Sequence, residues 1–355
     1  MGECDYDYLI IGQGLAGTTL AFHLLDLGKK VLVVGDTALP SSSKVAAGIF
    51  NPLTGKKLVK TWLADDLFPY AKTFYSRFEN QLDCKLIYPV PIFRPFRSIE
   101  EQNTYLAQTA DPGIAPYIAS DQSADLSGYV EARFGGLQVI RSGWVDLPLF
   151  LDKSRQFLES NGSYREATFD LNDIQLTENH VSWKDLNFGK IVFCQGFSGN
   201  DNRFFNWLPF APVKGQILDV ATDVEIPGYI INQGIFMLPV GKKNIRVGAT
   251  YSWDQLDWSP TDSASTELLE KLNALIRIPY RIESASAGVR PSVKDRRPLL
   301  GIHPEYSNVC IFNGLGTKGV TLAPFFSKEL AEHLENGKEL NPLVNIKRYF
   351  SLYFR

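Results

Sequence analysis

The segment DYLIIGQGLAGTTLAFHLLDLGKKVLVVGD, Asp7 to Asp36, leaves few folds open to this chain. Tyr8 to Ile11 form an apolar run between an acid and Gly12, as a buried parallel strand requires. Gly12, Gly14 and Gly17 follow in G-x-G-x-x-G spacing, with Leu15 and Ala16 between the second and third. The first glycine permits a tight turn from strand to helix, the second lets main chain approach a pyrophosphate, and the third lets helix lie close to strand. Leu20, Ala21, Leu24 and Leu25 then recur at helical spacing, Gly28 ends the helix, and KVLVVGD reads as a second strand. Such a helix turns its amide-rich start toward the phosphates. Glycine triplets also arise by chance in turns, but strand, glycines, helix and strand in this order point to a dinucleotide-binding unit. The acid that grips the ribose usually closes the second strand, about 20 residues after the glycines. Gly35 stands there and Asp36 follows, so Asp36 is the expected ribose contact; the alternative is that it caps the next turn.

With 355 residues, 45% of them hydrophobic, the chain can bury a large core and divides most naturally into two domains. A net charge of −3 gives no general attraction to phosphate backbones, which disfavours tight nucleic-acid binding by bulk charge and leaves only a local basic patch. Cys4, Cys84, Cys194 and Cys310 are scattered without C-x-x-C spacing, as expected of reduced thiols in a cytoplasmic protein. MGECDY carries neither a basic n-region nor an apolar h-region, and Tyr6 stands where a myristoylation signal needs Ser or Thr. No apolar run approaches the ~20 residues that span a bilayer. No leader, lipid anchor or membrane segment is therefore expected. His23, His180, His303 and His333 are the only histidines and lack metal or triad spacing, so no metal site is expected. His23 and His333 read as ordinary helix residues, and HPEY, His303 to Tyr306, as a surface turn.

A nicotinamide dehydrogenase would continue after Asp36 with alternating strands and helices. Here TALPSSSKVAAGIFNPLTGKK follows, a loop rich in Ser, Gly and Pro. It resembles the second flavin-contacting segment of the D-amino-acid oxidase (DAO) superfamily of FAD-dependent oxidoreductases. That superfamily includes glycine oxidase, sarcosine oxidase and the flavin domain of a bifunctional tRNA wobble-uridine enzyme. There, a Ser/Thr-rich turn places hydroxyls on the phosphates and Ala-Ala-Gly along the isoalloxazine. The resemblance implies these roles for Ser42, Ser43, Ala46, Ala47 and Gly48, and leaves Lys44 open; the alternative is a solvated turn. SGWVDLPLFLDKSRQFLE, Ser142 to Glu159, is similar to the helix that re-enters the flavin domain. GKIVFCQGF resembles the family's next strand and turn, with Gln195 and Gly196 at the cofactor. A strand over Ala167–Leu171 would put Phe169 beside the adenine. APVKGQIL, Ala211 to Leu218, resembles the crossover into the substrate domain. Near the other terminus, AGVRPSVKDRRPLLG and then NGLGTKG are similar to the family's Gly-x-Arg-Pro strand and last glycine-rich loop. Gly314, Leu315, Gly316, Thr317, Lys318 and Gly319 are thereby implied to hold the flavin. Leu322, Phe326, Leu330 and Leu334 give the helix that follows an apolar face. Its N-terminus would stabilise negative charge on the reduced ring. The family's flavin-linking cysteine, expected near Gly288, is missing, so noncovalent FAD is the cofactor implied.

The fold class is therefore α/β (α+β overall). A Rossmann-like FAD-binding domain of the glutathione-reductase-like type, residues 1–85, 141–212 and 286–355, interleaves with an antiparallel β-sheet substrate-binding domain, residues 86–140 and 213–285. KGQILDVATD, GIFMLPVG and NIRVGATYSW read as strands of that sheet, and TELLEKLNALI, Thr266 to Ile276, as a helix. The resemblance gives Arg290 of GVRP the substrate carboxylate, which a planar guanidinium can hold with two parallel hydrogen bonds. The alternative is a structural pair with Asp295. Lys318 either stabilises reduced flavin or assists Arg290, or simply faces solvent. Thr321 stands where sarcosine oxidase-like members have a carboxylate-binding lysine, and Phe236 where glycine oxidase has an aromatic hydroxyl.

These residues imply an FAD-dependent amino-acid or amine oxidoreductase that moves hydride from a C–N carbon of a small carboxylated amine to flavin N5 without a protein acid or base. Two alternatives stand beside it. One is demodification of carboxymethylaminomethyl-uridine in tRNA, against which stand the acidic composition and the lack of a methyltransferase segment. The other is a flavin-bound scaffold without turnover.

Overall fold

The computed structural model describes residues 4–55, 57–121 and 124–354, so the leader reading of Met1–Glu3 lies outside it. Five parallel strands form the central sheet in the order Tyr164–Glu166, Val31–Gly35, Tyr6–Ile11, Leu186–Phe193 and Val309–Asn313. Period-two alternation sorts their side chains between two cores. Tyr8, Ile10, Val31 and Val33 face the helices Leu15–Asp26, Ala64–Leu82, Leu147–Ser160 and Gly319–Asn336. Leu9, Ile11, Leu32 and Val34 face the meander Ile174–Leu176 and Val181–Trp183 together with Phe205 and Ile346. The sheet thus reads as continuous hydrophobic runs because both faces are covered.

Close approach at the first turn sets the geometry of this layer. A Cβ on Gly17 would lie 1.9 Å from the Gly12 carbonyl oxygen, and one on Gly12, where φ is +107°, would lie 2.5 Å from the carbonyl oxygen of Cys194. Only glycine permits these contacts. The third parallel strand is Tyr164–Glu166, earlier than the expected Ala167–Leu171. Ala167 still donates to the Gly35 carbonyl (2.8 Å), but Asp170 then accepts from the amide of Asn172 and turns the chain into the short helical turn Leu171–Asp173.

A second sheet runs in the order Tyr280–Arg290, Val213–Thr222, Asn244–Gly248, Phe236–Pro239, Ile230–Asn232, Ile92–Pro95 and Gly136–Val139. All its pairs are antiparallel except Ile230–Asn232 with Ile92–Pro95. Its helix spans Asp262–Asn273 rather than Thr266–Ile276, because the Thr261 hydroxyl caps the Ala264 amide.

The helices Leu15–Asp26 and Gly319–Asn336 lie side by side. Pro324 inside the latter has no N–H for the Val320 carbonyl, and the buried Tyr75 hydroxyl donates to that oxygen instead at 2.9 Å. Thr19 donates to the Ala323 carbonyl (3.3 Å) and His23 Nε2 to the Pro324 carbonyl (3.0 Å). Burial lowers the His23 pKa to about 4, so its ring is neutral there. His303 departs from expectation. Its turn is at the surface, but its ring is buried against Phe204 and Phe205, with Nδ1 accepting from the amides of Glu305 and Tyr306. Among the described residues, no helix is long and apolar enough to cross a membrane.

The unfolded His23 imidazole takes a proton near pH 6.5, whereas the folded one resists until about pH 4. Stability present above pH 6.5 is therefore lost as the pH falls toward 4, by on the order of 3 kcal/mol from this residue. Melting temperatures across that range are expected to fall more steeply for the wild-type chain than for His23→Gln; equal slopes would refute the account.

Candidate active site

A continuous cavity of about 480 Å³ runs from the carboxyl ends of the parallel strands to the second sheet, within the size range of small-molecule sites. At its first end the helix Leu15–Asp26 starts from Gly14 without a side-chain cap, so its positive end faces the cavity. Gly12, Gly14, Leu15 and Ala16 line this wall. Gly17 does not. It stands behind the wall, where its missing side chain lets the helix approach. Asp36 also lines the cavity, and one of its oxygens caps the turn by accepting from the Ala38 amide (3.0 Å) while the other accepts from Thr168 (2.6 Å). Phe169 reaches the wall from the irregular segment after Glu166, packed against Trp183 and Phe193.

Ser42 and Ser43 begin a short helical turn, Ser42–Val45, within what the sequence presents as a loop. The Ser43 oxygen accepts from the Leu15 amide (3.3 Å) and keeps its own proton for an anion; Ser42 donates to the Val289 carbonyl and ties this turn to the second sheet. Ala46, Ala47 and Gly48 continue the wall, and Lys44 reaches out to the Thr37 carbonyl (3.4 Å). Gln195 and Gly196 close the next strand, with Asn313 donating to the Gly196 carbonyl (2.9 Å). Leu315, Gly316, Thr317, Lys318 and Gly319 line the far side, at the uncapped start of Gly319–Asn336. Gly314 lies outside the wall and serves the turn, at φ +75° against Val293 and Leu299.

The second end is cationic. Arg290 closes the strand Tyr280–Arg290; its guanidinium donates to the carbonyls of Thr250 (3.3 Å) and Lys214 (3.4 Å) and lies 4.6 Å from the Tyr251 ring centre. The alternative pair with Asp295 is excluded, because that carboxylate bonds Arg348 at 3.0 Å. Among the described residues no carboxylate pairs with Arg290, and burial lowers its pKa. Gly215 makes room for it: a Cβ there would lie 2.1 Å from a guanidinium nitrogen. Lys318 donates to the Thr61 hydroxyl (3.3 Å), and burial, then Arg297 and Arg296, push its pKa down. Phe236 and Thr321 line the same cavity. Of the described lining residues, Asp36 alone is acidic and none is histidine.

Gly215, Tyr251, Trp258, Asn232, Asn51 and Thr61 also reach the cavity without having been picked out in the sequence. A glycine inside a strand pattern is a sign of close approach, so Gly215 carried a usable signal. The aromatic residues of YSWDQLDWSP have no periodicity and carried none.

The family model described as FAD dependent oxidoreductase (DAO) matches residues 7–333. The tRNA 5-methylaminomethyl-2-thiouridine biosynthesis bifunctional protein MnmC of Actinobacillus pleuropneumoniae serotype 3 (strain JL03) is 22% identical, over 92% of this chain and 55% of its own length. The chain thus spans just over half of that relative. Glycine oxidase from Bacillus cereus ATCC 14579 superposes with a TM-score of 0.77 at 21% identity, covering 94% of this chain and 96% of the other. Iminodiacetate oxidase (IdaA) from Chelativorans sp. BNC1 gives 0.75 at 20% identity, covering 96% and 98%. At these identities the two structures speak for the fold.

A methyl group at Gly215 must displace the Arg290 guanidinium. Gly215→Ala is expected to weaken binding of a small carboxylate such as acetate by roughly 1–3 kcal/mol, with FAD content unchanged, as read by titration of the flavin absorbance. Unaltered affinity would show that Arg290 does not meet the anion.

Proposed function

Because this chain belongs to the DAO family of FAD-dependent oxidoreductases, we propose that it oxidises the C–N bond of a small carboxylated primary or secondary amine. The reading rests on one observation: a part-buried guanidinium at the cavity end opposite the glycine turn has only two carbonyls and an aromatic face for partners. Neutral acceptors hold the cation in place without cancelling its charge. An arriving carboxylate supplies the missing counter-ion and can take both parallel N–H groups.

The cavity fits FAD by its backbone, since Gly12 and Gly17 permit the close approach of strand and helix that turns one helix N-terminus onto it, and a second helix N-terminus opens there as well. FAD held there would supply the acceptor for a hydride from the carbon beside the amine nitrogen, leaving an imine for water to hydrolyse. Asp36 would take the ribose, and Phe169 the adenine. Ser43 and the Leu15–Asp26 helix start would meet the phosphates. Ala46, Ala47 and Gly48 leave a flat wall for the ring, and the Gly319–Asn336 helix start with Lys318 favours negative charge near it. Arg290 orients the substrate by its carboxylate. With no imidazole or carboxylate on that part of the wall, the amine must enter already neutral, and rate comes from holding its C–H in place.

Similarity to MnmC, a protein named for tRNA 5-methylaminomethyl-2-thiouridine biosynthesis, favours a second reading, in which the carboxylate belongs to a modified nucleoside of tRNA. Against it stand the net charge of −3 and a match to only part of those relatives. Binding of tRNA that weakens steeply between low and moderate salt would support it.

Glycine, N-methylglycine, proline and D-amino acids, added anaerobically in turn, are expected to include one that bleaches the flavin absorbance. Arg290→Ala is expected to raise KM for that substrate by the equivalent of about 2–5 kcal/mol, roughly 30- to 5,000-fold, while retaining FAD. Bleaching by none of them would overturn the free amino-acid reading, and unchanged kinetics in the variant would overturn the role of Arg290.

A further inference from the structure

Oxidation of a neutral amine to an imine frees more than a hydride. As the second bond to carbon forms, the nitrogen becomes positive and must give up an N–H proton before a neutral imine exists. Asp36 and Lys44 stand at the first end of the cavity, Asp36 bonded to Ala38 and Thr168 and Lys44 to the Thr37 carbonyl. Arg290 cannot take the proton either, because a guanidinium keeps its own. Among the described lining residues Lys318 is the remaining nitrogen base. The charged groups packed against it disfavour its ammonium form. On its own helix it sits at the uncapped positive start of Gly319–Asn336, whose first turn has no acid. From the loop after Arg290 come Arg296 and Arg297, the latter 4.2 Å from the ring centre of Trp62, which stacks on Phe326 of the same helix with planes 11° apart. Asp295, beside both arginines in sequence, is held by Arg348 (3.0 Å). From the segment before Ala64–Leu82 comes the buried Thr61, whose hydroxyl donates to the Asn51 carbonyl (2.9 Å) and can only accept from Lys318 (3.3 Å). One N–H of the amine is thereby tied back, and its lone pair is left free.

We propose that Lys318 takes up one proton when the cofactor is reduced, and that in turnover this is the N–H proton the amine loses. The second half rests on hydride transfer from a C–N carbon as the reaction. The balance then closes within the site. A neutral amine, oxidised FAD and neutral Lys318 give a neutral imine, a reduced cofactor with one negative charge, and the Lys318 ammonium. The C–H electron pair leaves with the hydride, and the nitrogen lone pair forms the second C–N bond. The N–H pair stays on nitrogen as its new lone pair while the proton passes to Nζ. The cation so formed offsets the charge that appears on the cofactor, whereas a lysine charged from the outset could accept nothing.

The test needs no substrate. The FAD-loaded enzyme is reduced electrochemically, and the protons bound per electron pair are read from the pH dependence of the midpoint potential. The window lies between the pH at which Lys318 titrates in the oxidised enzyme and the higher pH at which it titrates beside the reduced cofactor. Within it the wild-type enzyme is expected to bind about two protons, one on the flavin and one on Lys318, and Lys318→Met about one. Lys318→Arg, charged throughout, is also expected to bind about one, at a higher potential than Lys318→Met. Should Lys318→Met fail to hold FAD, Lys318→Arg supplies the comparison. A count that is the same in the wild type and in the variant from about pH 6 to 10 overturns the proposal. An enzyme that shows the extra proton but is bleached by none of the amines overturns the substrate reading and supports Lys318 as the proton acceptor linked to reduction.

Discussion

The contact on which the rest depends is the one between Gly17 and the Gly12 carbonyl, where no side chain fits. It lets the helix Leu15–Asp26 lie directly on the first strand and brings an uncapped helix start to the cavity floor. The last helix is placed by the first. Thr19 and His23 bond consecutive carbonyls, Ala323 and Pro324, at the site where a proline interrupts the regular bonding of Gly319–Asn336. Tyr75, from a third helix, satisfies the carbonyl the proline leaves open. Two positive helix ends from opposite termini of the chain are thus registered on one cavity by a few backbone oxygens, and both are fixed by residues far from any chemistry.

Charge is distributed along the cavity in one direction. Asp36 stands at the end suited to a ribose, where an acceptor is wanted, and Lys318 and Arg290 stand toward the other. Leaving a desolvated guanidinium without a carboxylate is unfavourable for the empty protein, since burial shifts both cations toward their neutral forms. Had Asp295 paired with Arg290, the site would be more stable and unable to bind an anion. Arg348 occupies Asp295 instead. The structure therefore holds the cation by carbonyls that cannot compete with a carboxylate.

What could be read from the sequence was local. Strand, glycine turn and helix sit within one short segment, so their residues announce them, and the last glycine loop does the same. The strand near Phe169 was displaced because it is three residues long and held by backbone pairing to Val31–Gly35, which leaves no side-chain pattern. His303 looked like part of a surface turn, and the turn is there, but the ring bonds its own backbone and rotates inward onto phenylalanines from a segment a hundred residues away. The parallel pair of Ile230–Asn232 with Ile92–Pro95 joins two distant inserts, a pairing no periodicity encodes. The aromatic residues Tyr251 and Trp258 of the cavity wall were equally silent, because the loop that carries them is held by hydrogen bonds to Lys214 and Gln216, not by a spacing of their own.

One strand carries both halves of the site. Tyr280–Arg290 ends at the proposed carboxylate clamp, and one residue earlier its Val289 carbonyl holds the Ser42 hydroxyl of the turn on the cavity wall. Just before them Gly288 faces the same turn, where a Cβ would make ordinary contacts with Val45 at 3.4 Å and the Ser42 main chain at 3.6 Å. Facing Gly288 across the sheet is Gly215, whose missing side chain seats the guanidinium. The same ladder therefore places two parts of the cavity wall, the Ser42–Val45 turn held at Val289 and the guanidinium seated over Gly215. Because Gly215 and Gly288 pair in one buried ladder, the spacing between the Ser42–Val45 turn and the Arg290 guanidinium is set by backbone pairing.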